Sequence, residues 1–218
     1  MKNFWIAVAA AGAMAGCANV NKQPITSAGI SNLKGQPLAQ TKRPLPDFAA
    51  MTAGKAAFGL IGATLMISEG NALVAKNQIA DPAGEIAANL AKELEAAHGA
   101  RVVPEKIAVA SGGVSDVSAA TGSVARFVVD VETINWSFAY FPADWAHYRV
   151  IYTARARLID TASKTIVAEG FCSRVPASNA GAPTLDELTG NGAELLKKEL
   201  SVAAAECVKT LKSEMLAL

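Results

Sequence analysis

Three cysteines, two histidines and a few closely spaced carboxylates are the side chains in this 218-residue chain that could do chemistry. Cys17 follows Met14-Ala15-Gly16, with small residues at the two positions before it and a short apolar run before those. A thiol placed there is a modification site near a cut rather than a catalytic group. Cys172 and Cys207 have no histidine beside them, so they do not make a zinc site, and a disulfide or two buried free thiols are the readings left. Asp144 and His147 lie three apart with Arg149 beyond. Such a pair can relay a proton, but without a Ser, Cys or metal partner a structural hydrogen bond explains it more cheaply. SGGVSD, residues 111–116, lacks the G-x-S-x-G elbow that exposes a nucleophilic serine. Asp130 and Glu132 share a strand face and invite a paired-carboxylate reading, which solvated sheet positions explain more cheaply. His98 falls in the last turn of a helix, where a solvent-facing imidazole meets the negative end of the helix dipole. Gly54-Lys55-Ala56 is not a phosphate loop, lacking both the earlier Gly and the following hydroxyl. No catalytic set emerges, no metal-ligand spacing and no cofactor motif, and the reading is a non-enzyme.

The first seventeen residues decide the location. Lys2 supplies a positive start, residues 4–13 an apolar run of about ten residues, and Cys17 closes the box. That run is well short of the roughly 20 residues needed to span hydrocarbon. The segment resembles the lipobox signal of bacterial lipoproteins, with Met14 where leucine is commoner. The resemblance implies removal of residues 1–16, a thioether-linked diacylglycerol on Cys17 and an amide-linked acyl chain such as palmitate. Each buried methylene adds roughly 0.8 kcal/mol of membrane affinity, so several chains hold far better than one. Ala18, rather than Asp, implies by the same resemblance the outer membrane, with the protein facing the periplasm. That oxidising setting leads us to expect that Cys172 and Cys207 pair. Closing the loop between them is worth about 3 to 4 kcal/mol in the chain-entropy model.

Composition narrows the function classes. Lys and Arg total 20 against 19 Asp and Glu, and losing Lys2 with the signal brings the balance to zero. Nucleic-acid binding, which rests on a basic stripe, gains no support. The remaining length suits one domain with a real core.

Residues 17–46 are polar with scattered Gly and Pro and read as a lipid-anchored flexible tether, within which residues 36–42 could form a short strand. Residues 50–75 are apolar and small, with Gly54, Gly59, Gly62 and Gly70. They read as a Gly-rich helix either buried against the sheet or touching a membrane or partner. Asp81-Pro82 signals a helix over 82–98, stopped by Gly99. Residues 107–110 form a candidate short strand and 111–123 a loop. Residues 126–136 read as a strand whose phase slips near Asn135, which implies a bulge. Six of the eleven aromatics beyond residue 16 fall in residues 136–148. Trp136, Phe138, Tyr140, Phe141, Trp145 and Tyr148 are therefore either a stiff hydrophobic corner or a candidate interaction surface. Residues 149–160 alternate Val150, Tyr152, Ala154, Ala156 and Leu158 inward against Thr153, Arg155 and Arg157 outward. Residues 165–175 return antiparallel. Thr184-Leu185-Asp186-Glu187 caps a final helix over 184–214, which turns Cys207 toward the sheet.

The fold expected is α+β: an antiparallel sheet of four to five strands covered on one face by helices, in one domain over 47–218 behind the tether. PDFAAMTAGKAAFG (46–59), IADPA (79–83), YFPADWAHYRVIYTARARLID (140–160) and Cys172 with Cys207 resemble a group of proteobacterial envelope lipoproteins. The resemblance implies an envelope setting and brings no activity. The function expected is a non-enzymatic accessory or scaffold lipoprotein for an envelope complex, membrane-bound through Cys17 and engaging an envelope protein partner. A carrier holding a lipid or other apolar ligand between 50–75 and the sheet is the alternative, and a hydrolase using Asp144 and His147 the weakest.

Overall fold

The computed structural model describes residues 21–110 and 112–218, so Cys17 and the signal segment fall outside the described residues. In chain order the elements are α1 (Ser27–Leu33), β1 (Pro37–Lys42), β2 (Ala49–Met51), α2 (Ala53–Ala56), α3 (Gly59–Asn77) and α4 (Ala83–His98), followed by β3 (Arg101–Ala108), α5 (Val114–Thr121), β4 (Phe127–Phe141), β5 (Asp144–Asp160), β6 (Thr165–Arg174) and α6 (Leu185–Glu214). Six strands form one sheet in the order β3-β1-β4-β5-β6, with β2 pairing β4 outside that path.

The long strands are those that the alternation dictates. β4, β5 and β6 run antiparallel through tight connections. The register slips between Thr133 and Asn135, where the change of phase required an extra residue. Val150, Tyr152, Ala154, Ala156 and Leu158 are all buried on the inner face of β5. There they meet Leu188, Leu196, Leu200, Ala203, Ala204 and Leu211 of α6 and the apolar stripe of α4 in one core. Gly170 of β6 is the close-approach point, because a Cβ there would sit 2.7 Å from the Leu211 side chain.

The sheet is mixed rather than antiparallel. β1 runs parallel to both β3 and β4, and β2 runs parallel to β4. The crossover through α3 and α4 makes this possible, since parallel strands need a long connection. Of the tether expected over 17–46, the part from residue 21 on belongs to the fold, and residues 17–20 lie outside the described residues. The Gln23 N–H donates to Glu169 O at 2.8 Å, and α1 and β1 follow inside the fold. Residues 36–42 do form a strand, inserted between β3 and β4. The helix expected over 50–75 starts as β2, resumes as the short α2 and runs properly only from Gly59.

Coverage of the sheet is two-sided. α5 lies where a loop was expected, and it buries Val117 with Ala39, Ala125, Val128 and Ile159 in a smaller second core. The final helix has its capping box, Thr184 with Glu187. It is broken at Gly190–Ala193, where residues 191–193 take left-handed backbone.

Candidate functional site

Cys172 and Cys207 are joined, with Sγ atoms 2.02 Å and Cα atoms 5.3 Å apart. The bridge ties β6 to α6 across the core, as their inward positions imply. Both cysteines are buried, so this disulfide is a staple and not a redox-active pair.

The aromatic run of 136–148 is mostly core. Trp136, Phe138, Phe141 and Tyr148 are buried and Tyr140 is half-buried, which corrects the reading of these residues as a surface. Phe48 organises them. Its ring meets Trp136 edge-on at 5.0 Å and Phe138 at 5.8 Å, while Trp136 Nε1 donates to Pro46 O. Even-numbered residues of β4 beyond the bulge point inward, where Phe48 brings a ring to meet them. Only Trp145 stays out, 68% exposed, over Tyr140 at the tip of the β4–β5 hairpin.

Exposed apolar side chains gather at that same end. β2 runs alongside β4 toward the hairpin, with Met51 opposite Ala139. The Tyr148 hydroxyl then reaches the Ala53 backbone in α2. From here α3 sets out with Phe58 68%, Leu60 90% and Ile61 73% exposed, and Met51 and Leu65 are exposed beside them. The opposite side of α3 is packed without a gap, since a Cβ on Gly62 or Gly70 would lie 1.9 Å from the carbonyl oxygen of Lys55 or Phe48. The helix is therefore both buried and outward-facing. Gly62, Met66, Gly70 and Val74 form its inner line, and Leu60, Ile61 and Leu65 its uncovered one. Lys55 and Glu69 pair with one another, so the stretch between them presents no unpaired charge.

Asp144 and His147 do make their hydrogen bond, His147 Nδ1 to Asp144 Oδ2 at 2.7 Å. Asn179 Nδ2 donates to the same oxygen at 2.8 Å, and with His147 it holds the Asp144 carboxyl below its ordinary range. His147 also bridges to Thr184, so the pair ties the hairpin to the segment before α6. Among the described residues no serine or cysteine hydrogen-bonds to this pair, and its geometry is that of a fastening.

Asp130 is not the solvated residue expected. It is fully buried, accepting from Thr41 Oγ1 at 2.8 Å, Arg43 Nε and Nη2 at 2.9 Å, and Arg157 Nη2 at 2.5 Å. Burial works to raise its pKa, but the hydrogen bonds and charges of Arg43 and Arg157 outweigh that and leave it lowered. Arg157, expected to face outward, is buried with it. Glu132 pairs with Arg155 at 2.5 Å, close to Arg43. Both Asp130 oxygens are taken up by Thr41, Arg43 and Arg157, while Glu132 stays partly exposed beside Arg155. His98 is half-buried with Nε2 shielded and unpartnered, rather than turned to solvent.

A groove runs past the start of α4. Two hollows of about 550 and 620 Å³ share Asp81, Gly84 and Lys106, with Lys197 lining one and Lys42 and Arg43 the other. Thr133 Oγ1 donates to Asp81 Oδ1 at 2.5 Å and lies 2.9 Å from the Tyr152 hydroxyl. Burial pushes the Asp81 carboxyl and the Tyr152 phenol upward. Asp81 also accepts from Ala83 N, the capping role that its position before Pro82 announced. Asp81 holds Ala83 N and Lys106 Nζ donates to Gly84 O, so the charged groups that the two hollows share are engaged at the helix start. Among the described residues no cluster of His, Cys, Asp and Glu could hold a metal ion, and no helix is long and apolar enough to cross a membrane.

No family model and no curated protein matches the chain. Among solved structures it is similar to the PelC dodecamer from Paraburkholderia phytofirmans, at 14% identity over 90% of this chain and 94% of that one, with a TM-score of 0.38. It is also similar to the hypothetical protein CT253 from Chlamydia trachomatis, at 12% identity, 83% and 99% coverage and a TM-score of 0.34. Lipoprotein GNA1162 from Neisseria meningitidis shows 13% identity, 79% and 97% coverage and a TM-score of 0.31. Likeness this weak assigns no family, activity or partner.

Proposed function

We propose that this protein is a non-enzymatic, lipid-anchored accessory protein of the bacterial envelope that docks another envelope protein through its hairpin end. The observation that carries the reading is the grouping of Phe58, Leu60, Ile61, Leu65 and Met51 with Trp145 at one end of the sheet. Scattered single apolar residues on a surface need no explanation, but a cluster of this size does. An interface core of apolar and aromatic residues with few charges has this composition.

The anchor favours a protein over the lipid surface as the occupant. From Gln23 onward the chain is fixed to β6, and the five residues between Cys17 and Gln23 span at most about 20 Å. Gln23 lies against Glu169, which pairs with Arg157 twelve residues along β5 from Trp145, a separation of about 40 Å. Insertion of the apolar end, end-on, into the anchoring leaflet is out of reach of so short a leash. The carrier alternative loses its ground as well. α3 meets the backbone of Phe48 directly at Gly70, which leaves no room there for a ligand between helix and sheet.

The test is site-specific photo-crosslinking in cells, with the probe at position 60, 61 or 145 of the full-length protein and, as controls, at the exposed Ile134 and Val202. A discrete adduct with one envelope protein from the first group alone is the expected result. Equal labelling from the controls, or none from the apolar end, removes the reading. A Cys17→Ser form should leave the membrane fraction, and if it stays, the anchor is wrong.

A further inference from the structure

Of the seven arginines, exposed Arg101 donates its Nε to Gly35 O and five are ion-paired: Arg43, Arg126, Arg155, Arg157 and Arg174. Arg43 and Arg126 show how this protein holds a carboxylate. Each presents its Nε and Nη2 edge to the two oxygens of one aspartate, Asp130 and Asp160 respectively. Two parallel N–H donors on that edge match a carboxylate in spacing and charge.

Arg149 is the exception. Its Nη1 donates to Pro176 O at 2.9 Å and its guanidinium lies 5.1 Å from the centre of the Phe141 ring. No carboxylate is paired with it, and Nε is shielded from water without a hydrogen-bond partner. A buried donor left so costs about 1 to 3 kcal/mol relative to one that is satisfied. The side chain lines a cavity of about 150 Å³ under the loop 176–183, together with Phe141, Tyr148, Arg174, Ser178 and Glu199. Glu199 is the one carboxylate in this lining, and Arg174 Nη2 holds it at 2.9 Å. The cavity therefore has a positive side with an unused fork and a negative group already neutralised.

We infer that this cavity is a binding site for the carboxylate group of an acidic ligand, with the Nε/Nη2 edge of Arg149 as the recognising fork. Drug-sized ligands fill several hundred Å³, so only the acidic end of a ligand enters here. The Phe141 and Tyr148 rings enclose its carbon atoms, and the Ser178 hydroxyl stands on the loop side. Residues 177–181 of that loop carry no buried side chain, and the exposed hydrogen bond from Asn179 Nδ2 to Asp144 is what the loop gives up if it lifts to admit an oxygen to Nε. The inference is independent of the docking reading, because it uses none of the exposed apolar residues.

The experiment is a titration of full-length protein, labelled with 15N-arginine in detergent, with sodium acetate against sodium chloride at constant ionic strength. The Nε–H resonance missing in Arg149→Lys identifies Arg149. Acetate is expected to move it along a saturating curve with a Kd of about 1 to 10 mM, while chloride does not. Arg149→Lys should weaken acetate binding about tenfold or more, read on the backbone amides of residues 177–181 in uniformly 15N-labelled protein, because an ammonium supplies no fork. N-acetyl-Ala-Ala separates the sources: binding tighter than acetate assigns the site to a peptide terminus, and equal or weaker binding assigns it to a small acid. A linear shift equal to that with chloride overturns the inference even if the variant fails to fold. Tighter binding of inorganic phosphate than of acetate overturns the carboxylate assignment.

Discussion

Replacing Asp130 with Ala removes the counter-charge of the deepest ion cluster in the protein. Five hydrogen bonds end on this carboxylate, one from Thr41, two from Arg43 and two from Arg157. Arg157 is 4% exposed in its side chain and Arg43 10%, so neither recovers its hydration when the partner goes. Removing one member of a buried pair costs about 3 to 5 kcal/mol, chiefly from the charge left behind. With a urea dependence of about 2 to 3 kcal/mol per molar for a chain of this size, the unfolding midpoint should fall by roughly 1 to 2 M. The sign of the pH dependence follows from the lowered pKa. A depressed carboxylate contributes stability above the ordinary range near 3.9 and loses it as pH falls through its folded value. The gap between wild type and Asp130→Ala should therefore be full at pH 7 and narrow in strong acid. Urea unfolding followed by tryptophan fluorescence at pH 7 and pH 3 measures both, given Trp136 in the core. Asp130→Leu with Arg157→Leu should cost less than Asp130→Ala, because it removes one of the two orphaned charges as well. A loss under about 1 kcal/mol at pH 7, or a gap that widens in acid, would refute the reasoning.

Other perturbations test separate links. The paired variant Cys172→Ala with Cys207→Ala should lose about 4 kcal/mol, the loop-closure value for a separation of 35 residues, measured by thermal or urea unfolding. Gly70→Ala should destabilise by about 1 to 3 kcal/mol, although alanine is the better helix former by about 1 kcal/mol, because its Cβ meets Phe48 O. A stabilised Gly70→Ala protein would show that α3 does not sit on β2 as described. Leu60→Gln with Ile61→Gln should leave unfolding within about 0.5 kcal/mol of wild type, since both side chains already face water, while abolishing the crosslink from position 145. Unfolding of that variant would instead make the residues part of the core.

Alternation and capping are local, and so they were readable. The period of two over residues 149–160 set the inner face of β5, because a strand offers its residues to two sides and only one is dry. Asp81-Pro82 and Gly99 bounded α4, and Thr184 with Glu187 opened α6, because caps satisfy backbone groups within a few residues. The cysteine pair was legible from its inward positions once an oxidising setting was inferred. Tertiary structure decided the rest, where the partner of a residue lies far along the chain. β1 reads as part of a polar tether until β3 and β4 close on either side of it. Asp130 reads as a solvated position until Arg43, 87 residues away, covers it. The aromatics of 136–148 read as either a hydrophobic corner or a surface until Phe48 brings its ring against Trp136 and Phe138, and the free fork of Arg149 shows only against the paired arginines around it. A sequence fixes what each segment prefers within a turn or a strand; which charge meets which, and which apolar face stays uncovered, depends on long-range packing that no local period records.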